Sequence, residues 1–210
     1  MVWKLLSLFP TRKISIYADF IDPFCYIGFH NLKTVAEARG IPLEWRGFEL
    51  NPETPLEGYA LETAANSDLR PGMWASVKAL AQQSSLEFPE PQRVPNTRSA
   101  HQLVQGIKNW AVKIPLIERI YQAYFRGRQD IGRPEILMPI AASFRISPND
   151  AEAALRDGGL GHQVDRHREE AKRHGFAGMP GFVVRGKTYF GALSKEAWGK
   201  IIEERLCSTK

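Results

Sequence analysis

The sequence predicts an α/β protein in which a β-α-β unit and a β-β-α unit are separated by a block of helices. Three observations predict it: a strand-like alternation that begins near residue 13, a long stretch without strand patterns over about 58–174, and the return of strand-like runs after Gly175. A period of two residues marks the strands, and a period of about 3.6 marks the helices. At 210 residues, the chain is long enough to bury a substantial core.

The first unit begins with residues 13–19, whose apolar and polar side chains alternate as in a strand. Asp22 followed by Pro23 predicts the start of a helix, because Asp is a preferred N-cap. Pro at the first helical position gives up only an amide that has no partner there. The helix ends at Gly40, and residues 43–50 resume as a strand. A right-handed crossover makes the two strands parallel.

The central stretch is predicted to be helical, with no convincing strand. Prolines and glycines punctuate it, often at first-turn positions. The proline-rich section 87–96 predicts an extended connector rather than a helix or a strand. The helical patterns cover residues 71–85, 99–110, 115–125, 134–144, 148–156 and 161–174.

The last unit contains two short β-rich runs, 181–184 and 187–190, whose Arg-Gly connection predicts a hairpin. Ser194 then caps a final helix that carries an apolar stripe. This order of elements is that of a thioredoxin fold with a helical insertion. The predicted domains are a thioredoxin-like domain of residues 1–57 and 175–210, and an inserted all-helical domain of residues 58–174.

Charge and composition exclude several classes of function. The net charge of +5 comes from basic residues that lie among acidic ones, as in residues 165–170. This pattern is typical of a solvated helix face, so we expect no nucleic-acid partner, while an anionic small substrate fits the charge. Two cysteines provide no disulfide framework, and the five histidines show no metal-ligand spacing. We therefore expect no metal.

The N-terminal apolar stretch is shorter than that of a signal peptide, and no small-residue cleavage site follows it. No later segment approaches the length of a membrane-spanning helix. These two observations predict a cytoplasmic protein with no membrane partner.

The candidate site lies at the start of the first helix, where Asp22 and Cys25 stand one helical turn apart. Backbone amides and the helix dipole favour a negative group at this end and lower the pKa of a thiol placed there. A redox enzyme needs two cysteines one turn apart, one to attack and one to resolve. Because Cys207 lies at the far end of the final helix, we expect no dithiol–disulfide exchange within the motif.

The residues of the motif have two interpretations each. Asp22 is either the N-cap of the helix or a general base or polar anchor for a substrate, and the amide donors should depress its pKa. Cys25 is either a half-buried packing residue or a thiol that a small substrate or glutathione reaches. His101 is more typical of a surface or satisfied core histidine than of a functional one. Met179-Pro180 precedes a strand, where a cis peptide bond is one way to form a tight turn.

Short pieces that span nearly the whole chain carry a family resemblance. They are DFIDPFCYIG at 19–28, WRGFELNP at 45–52, NT at 96–97, AH at 100–101, AYF at 123–125, DI at 130–131, GMP at 178–180 and FVV at 182–184. In this order and spacing, they resemble the DsbA-like thiol–disulfide oxidoreductase family. The branch is the one related to 2-hydroxychromene-2-carboxylate isomerases and kappa-class glutathione transferases.

The resemblance implies that Asp22 takes the position of the nucleophilic cysteine and Cys25 that of the resolving one. It also implies that Pro180 is cis and faces the motif, with Met179 offering its backbone to an extended thiol substrate. In the isomerase and transferase relatives, a serine replaces the first cysteine and helps to position glutathione. The carboxylate of Asp22 departs from both patterns. We expect substrate contacts from Phe24, Met179, Pro180, Asn51, Asn96 and His101.

The leading hypothesis is an oxidoreductase-like enzyme that acts on a thiol or glutathione-linked substrate through Asp22, Cys25 and Pro180. The alternatives are a glutathione-dependent isomerase or transferase and a non-catalytic thioredoxin-fold binding protein. The expected partner is a small-molecule or peptide thiol, with glutathione as a cosubstrate rather than a tightly bound cofactor. The resemblance also suggests a homodimer.

Overall fold

A four-stranded mixed sheet forms the centre of the computed structural model, which describes residues 13–61 and 70–207. The sheet contains β1 (Ile14–Ala18), β2 (Leu43–Gly47), β5 (Gly181–Val184) and β6 (Lys187–Phe190), in the order β2-β1-β5-β6. β1 is parallel to β2 and antiparallel to β5, and β5 forms a hairpin with β6. The predicted parallel pair and the predicted hairpin are confirmed.

The helices of the described residues follow most of the predicted patterns. The fourth helix begins at Trp110, five residues before the predicted start at Pro115. Asn109 caps this helix, because its side chain accepts a hydrogen bond from the Ala111 N–H at 3.0 Å. The helices are α1 (Pro23–Ala38), α2 (Arg70–Gln83), α3 (Arg98–Gly106), α4 (Trp110–Phe125), α5 (Pro134–Ser143), α6 (Pro148–Arg156), α7 (Gly158–His174) and α8 (Lys195–Ile202), followed by a π-helical turn at Glu203–Cys207.

The expectation of a strand-free central stretch is wrong at one place. β3 (Tyr59–Ala60) pairs antiparallel with β4 (Arg93–Val94), which lies inside the proline-rich connector. Gly58 makes this approach sterically feasible, because a Cβ on it would lie 2.5 Å from the carbonyl oxygen of Val94. A pair of two-residue strands is too short to leave a periodic pattern in the sequence.

The hydrophobic core runs from the sheet into the helical block without a break. Ile14 and Ile16 of β1 face Val184 and Phe182 of β5 in register, and all four side chains are buried. Tyr26 of α1 stacks on rings of α4, so the same core continues between the helices. The boundaries of the two domains stay a prediction. Within residues 13–61 and 70–207, no helix is both long enough and apolar enough to cross a membrane.

Candidate active site

Asp22 lies at the N-terminus of α1, just after the end of β1. Its Oδ1 accepts hydrogen bonds from the backbone N–H groups of Phe24 at 2.7 Å and Cys25 at 3.3 Å. The backbone of Asp22 is extended, with φ −91° and ψ 118°, and Pro23 occupies the first helical position. The N-cap interpretation is therefore confirmed. The carboxyl takes the place at which a helix N-terminus attracts an anion.

The ionisation of Asp22 differs from the sequence-based expectation. Burial raises the pKa of Asp22 from 3.8 to about 6, and the two backbone donors, which lower it, do not compensate. The expectation of a depressed pKa is therefore wrong, because the free-energy cost of removing the carboxylate from water exceeds its stabilisation by the two amide donors. A carboxyl whose pKa lies near neutrality can both accept and donate a proton at physiological pH.

Cys25 is a fully buried member of the core, with 0% of its surface exposed. Burial raises the pKa of its thiol well above 9.0, and the negative charge of Asp22 raises it further. The raised pKa keeps the sulfur protonated at neutral pH. A buried, protonated thiol is a poor nucleophile. These properties favour the packing interpretation of Cys25, which is buried more deeply than expected.

Pro180 lies against α1, at the start of β5. The Met179–Pro180 peptide bond is cis. Gly28 permits close contact between the two segments, because a Cβ on this residue would lie 2.8 Å from Pro180 Cγ. Pro180 is buried, whereas Met179 is half-buried. The helix α1 and the Met179–Pro180 segment are thus in contact at Gly28, and the role of Pro180 and Met179 toward a substrate stays a prediction.

The other predicted substrate contacts are distributed unevenly. Phe24 is half-buried in the first turn of α1, and Asn51 is exposed after β2. Asn96 is already engaged, because its Nδ2 donates to the Thr54 carbonyl at 2.6 Å and its Oδ1 accepts from the Arg98 N–H at 3.0 Å. Asn96 therefore has a structural role at the start of α3, and its contact with a substrate stays a prediction.

His101 belongs to the core behind the site. It is 0% exposed, and its Nε2 lies 3.1 Å from Oδ1 of Asp19, which is also 0% exposed. The expectation that His101 contacts a substrate is therefore corrected, because no face of its ring is open to a ligand. The core interpretation of this histidine is the one that the structure supports.

Asp19, the partner of His101, is a buried polar residue that the sequence did not single out as part of the site. The Asp19 carboxylate accepts hydrogen bonds from the N–H groups of Phe20 and Leu50, both at 2.7 Å, and its carbonyl accepts one from the Tyr121 hydroxyl at 3.0 Å. Two signals could have found it: an acidic residue at the end of an apolar strand, and a glycine, Gly47, at the end of the neighbouring strand, which indicates close approach of another group.

The arrangement is suited to moving a proton rather than a pair of electrons. Asp22 supplies one titratable carboxyl, and the neighbouring sulfur keeps its proton. Among residues 13–61 and 70–207, no group of three or more His, Cys, Asp or Glu side chains could hold a metal ion.

The match that decides the family covers nearly the whole chain. The model of the DSBA-like thioredoxin domain matches residues 13–203. The chain belongs to this family. A relative, the uncharacterized protein YwbO from Bacillus subtilis (strain 168), is 23% identical over an alignment of 202 residues, and the match covers 92% of this chain and 97% of the relative.

Solved structures share the fold over almost their whole length. A probable DsbA oxidoreductase from Streptomyces coelicolor has a TM-score of 0.80, with 21% identity and coverage of 94% of this chain and 91% of that one. A 2-hydroxychromene-2-carboxylate isomerase has a TM-score of 0.76, with 14% identity and coverage of 94% and 100%. The cytosolic disulfide reductase DsbM from Pseudomonas aeruginosa with GSH has a TM-score of 0.67, with 16% identity and coverage of 93% and 100%. The family inferred from the sequence is confirmed by the family match, and at these identities the likeness to the solved structures establishes the fold alone.

Proposed function

We propose that this member of the DSBA-like family acts on a thiol or glutathione-linked substrate by proton transfer at Asp22, without dithiol exchange. The observation that carries the proposal is a half-buried carboxyl at the N-terminus of α1 whose pKa is raised to about 6. Dithiol exchange needs an attacking thiolate and a resolving thiol, and the motif contains only the buried sulfur of Cys25.

In the proposed reaction, a substrate thiol gives its proton to the Asp22 carboxylate as the sulfur adds to a carbon–carbon double bond conjugated with a carbonyl, and the π electron pair moves onto the carbonyl oxygen to form an enolate. After rotation about the resulting carbon–carbon single bond, the enolate re-forms the double bond, the carbon–sulfur bond breaks with its electron pair going to sulfur, and Asp22 gives the proton back to the sulfur. The product is an isomer, and no substance is oxidised or reduced. Proton transfer by a positioned side chain typically contributes a rate factor of about 10² to 10⁴. The backbone N–H of Cys25 contributes a hydrogen bond of 3.3 Å that holds the carboxyl.

Two fold relatives support this proposal, one through the reaction that it catalyses and the other through the thiol that it contains. One is a 2-hydroxychromene-2-carboxylate isomerase, and the structure of DsbM contains GSH. Glutathione is anionic, which suits a chain of net charge +5. The description of DsbM as cytosolic supports a cytosolic setting for this chain as well, where glutathione is mostly reduced.

Asp22→Asn tests the proposal, because Asn caps a helix about as well as Asp but carries no titratable proton. We expect glutathione binding, measured by calorimetry, in the wild type and in the variant. With glutathione and 2-hydroxychromene-2-carboxylate as the probe, we expect the variant to isomerise at least about 10²-fold more slowly. Asp157→Asn, at the exposed N-cap of α7, is the matched control and should leave the rate unchanged.

Three outcomes are informative against the proposal. If the wild type binds no glutathione, the proposed substrate class is wrong. If Asp22→Asn turns over as fast as the wild type, Asp22 does not transfer the proton. If glutathione binds and no turnover follows, the chain is better described as a binding protein.

A further inference from the structure

We propose that Asp19 and His101 form a buried pair that positions Asp22 by fixing the backbone between β1 and α1. The inference rests on the proposed function, because Asp22 is the reacting group there. Both members of the pair are 0% exposed, so neither reaches a substrate. They act through Asp22 and are positioning residues rather than catalytic ones.

The Asp19 carboxylate has three polar neighbours that can donate hydrogen bonds. Its Oδ1 accepts from the Phe20 N–H at 2.7 Å and lies 3.1 Å from His101 Nε2, while its Oδ2 accepts from the Leu50 N–H at 2.7 Å. Three donors around one carboxylate satisfy its ionised form in a buried place. One side chain thereby ties the end of β1 to the segment that follows β2.

The two nitrogens of the His101 imidazole have different surroundings. Because Asp19 is an acceptor, Nε2 carries the proton of their hydrogen bond. Nδ1 has no hydrogen-bond partner among the described residues and abuts Gly47, where a Cβ would lie 2.5 Å from it. A second proton on Nδ1 would bury an unpaired N–H group, which is costly. The geometry therefore fixes Nε2 as the ring nitrogen that donates to Asp19.

Residues of the helical block contact this pair and the residues next to it. The His101 ring, in α3, packs against Phe20 and Trp45, with ring centroids 4.8 and 6.2 Å apart. The Tyr121 hydroxyl, in α4, donates to the carbonyl of Asp19 at 3.0 Å. Two helices of the central block thus hold the end of β1 from behind.

The consequence for Asp22 is both geometric and electrostatic. Only Phe20 and Ile21 separate it from Asp19, so a displaced Asp19 moves the N-cap. The charge of Asp19 also adds to the effect of burial in raising the pKa of Asp22. The titratable or charged groups around the two carboxylates of Asp19 and Asp22 are Cys25 from α1, Glu49 after β2, Arg98 and His101 from α3, and Tyr121 and Tyr124 from α4.

Two variants test the pair in different ways. Asp19→Asn removes the buried charge, and Gly47→Ala pushes on His101 without changing any charge. The readout is the titration midpoint of the Asp22 carboxyl, followed by carbon-13 NMR in the full chain. We expect Asp19→Asn to lower the midpoint by about one unit, and Gly47→Ala to lower it in the same direction as the carboxyl becomes more exposed to water. We also expect Cys25 to react faster with an alkylating reagent in Gly47→Ala.

Gly106→Ala is the matched control, because it crowds the same helix α3 from its other side. A Cβ there would lie 2.6 Å from Ala154 Cβ, and no ionisable group is involved. The midpoint of Asp22 should then stay at the wild-type value. If Asp19→Asn does not fold, His101→Phe replaces it, since Phe keeps the ring contacts and loses the donor.

The inference is overturned if the folded variants leave both the Asp22 midpoint and the protection of Cys25 as in the wild type. A control that moves the midpoint as much as Gly47→Ala would also overturn it. None of these measurements needs a substrate, so they can fail while the proposed reaction stands, and the reverse.

Discussion

Two effects of the Asp22 side chain on stability oppose each other: it caps α1, and its ionised carboxylate is buried. An N-cap of this kind typically stabilises a protein by about 1 kcal/mol. The rise of its pKa from 3.8 to about 6 corresponds to a penalty on the ionised form of roughly 3 kcal/mol, or about 2 kcal/mol after discounting for its partial exposure. Burial therefore outweighs the cap at neutral pH. Titratable groups that are held at such a cost are concentrated at functional sites.

The Asp22 carboxyl makes the free energy of unfolding depend on pH. Because the folded-state pKa of Asp22 is raised, its favourable contribution is complete below its ordinary pKa of 3.8 and is lost as the pH rises through about 6. We expect Asp22→Asn to be more stable than the wild type at pH 7.5, by about 2 kcal/mol, and to lose this advantage below pH 3.8. Urea unfolding of both proteins across this range measures it. An advantage that is independent of pH would contradict the assigned pKa.

The two thiols differ in their exposure to solvent. Cys25 is 0% exposed, whereas Cys207 is exposed at the end of the π-helical turn. We expect one thiol to react with an aromatic disulfide reagent in the native protein and two in denaturant, with Cys207→Ser removing the native reaction. Rapid native labelling of Cys25 would show that the site opens in solution and would revive the interpretation of Cys25 as a reactive thiol.

At the scale of elements, the site depends on the contact between α1 and the segment before β5. Gly28 permits it, since a Cβ there would lie 2.8 Å from Pro180 Cγ. Gly199 in α8 is a natural comparison, because a Cβ on it would meet only Arg39 Nη2, at the ordinary distance of 3.5 Å.

We predict opposite effects for the two glycine substitutions. Gly28→Ala overpacks a tight contact and should destabilise the protein by about 1–3 kcal/mol. Gly199→Ala should stabilise it by up to about 1 kcal/mol, through the better helix propensity of Ala. Denaturant unfolding of both variants measures this contrast. Equal stability of Gly28→Ala and the wild type would mean that α1 and Pro180 are not in close contact.

The elements that the sequence predicted correctly are those with local chemical signals. Asp22 caps α1, and Ser194 caps α8 by accepting from the Ala197 N–H at 3.2 Å. The hairpin strands follow from β-rich runs around a turn. The start of α4 at Trp110 was missed, because the signal of Pro115 is stronger than that of the Asn109 cap. The pairing of β3 with β4 depends on a contact that no short pattern encodes.

At the scale of the whole molecule, the sheet and the helical block share one core. Tyr26 of α1 stacks on Tyr121 and Phe125 of α4, with centroids 4.9 and 5.4 Å apart. We therefore predict a single cooperative unfolding transition, in which tryptophan fluorescence and far-UV circular dichroism change together. Two separated transitions would mean that the helical block folds as an independent domain.

Tertiary packing explains what the sequence could not predict about the site. Asp22, Cys25 and Pro180 are recognisable from their local motifs. The partnership of Asp19 with His101 joins residues 82 positions apart and exists only because α3 packs behind β1. The pKa of Asp22 has the same origin, since the motif shows the two amide donors while the folded chain determines the burial that outweighs them.

The central claim is that this site transfers protons where its relatives with two cysteines transfer electrons. Reduction of insulin disulfides with glutathione as the electron donor tests it most directly, with the wild type, Cys25→Ala and Asp22→Cys in parallel. We predict that the wild type and Cys25→Ala are no faster than the uncatalysed reaction, and that Asp22→Cys gains activity by restoring the attacking sulfur. Catalysis by the wild type that Cys25→Ala abolishes would contradict the account.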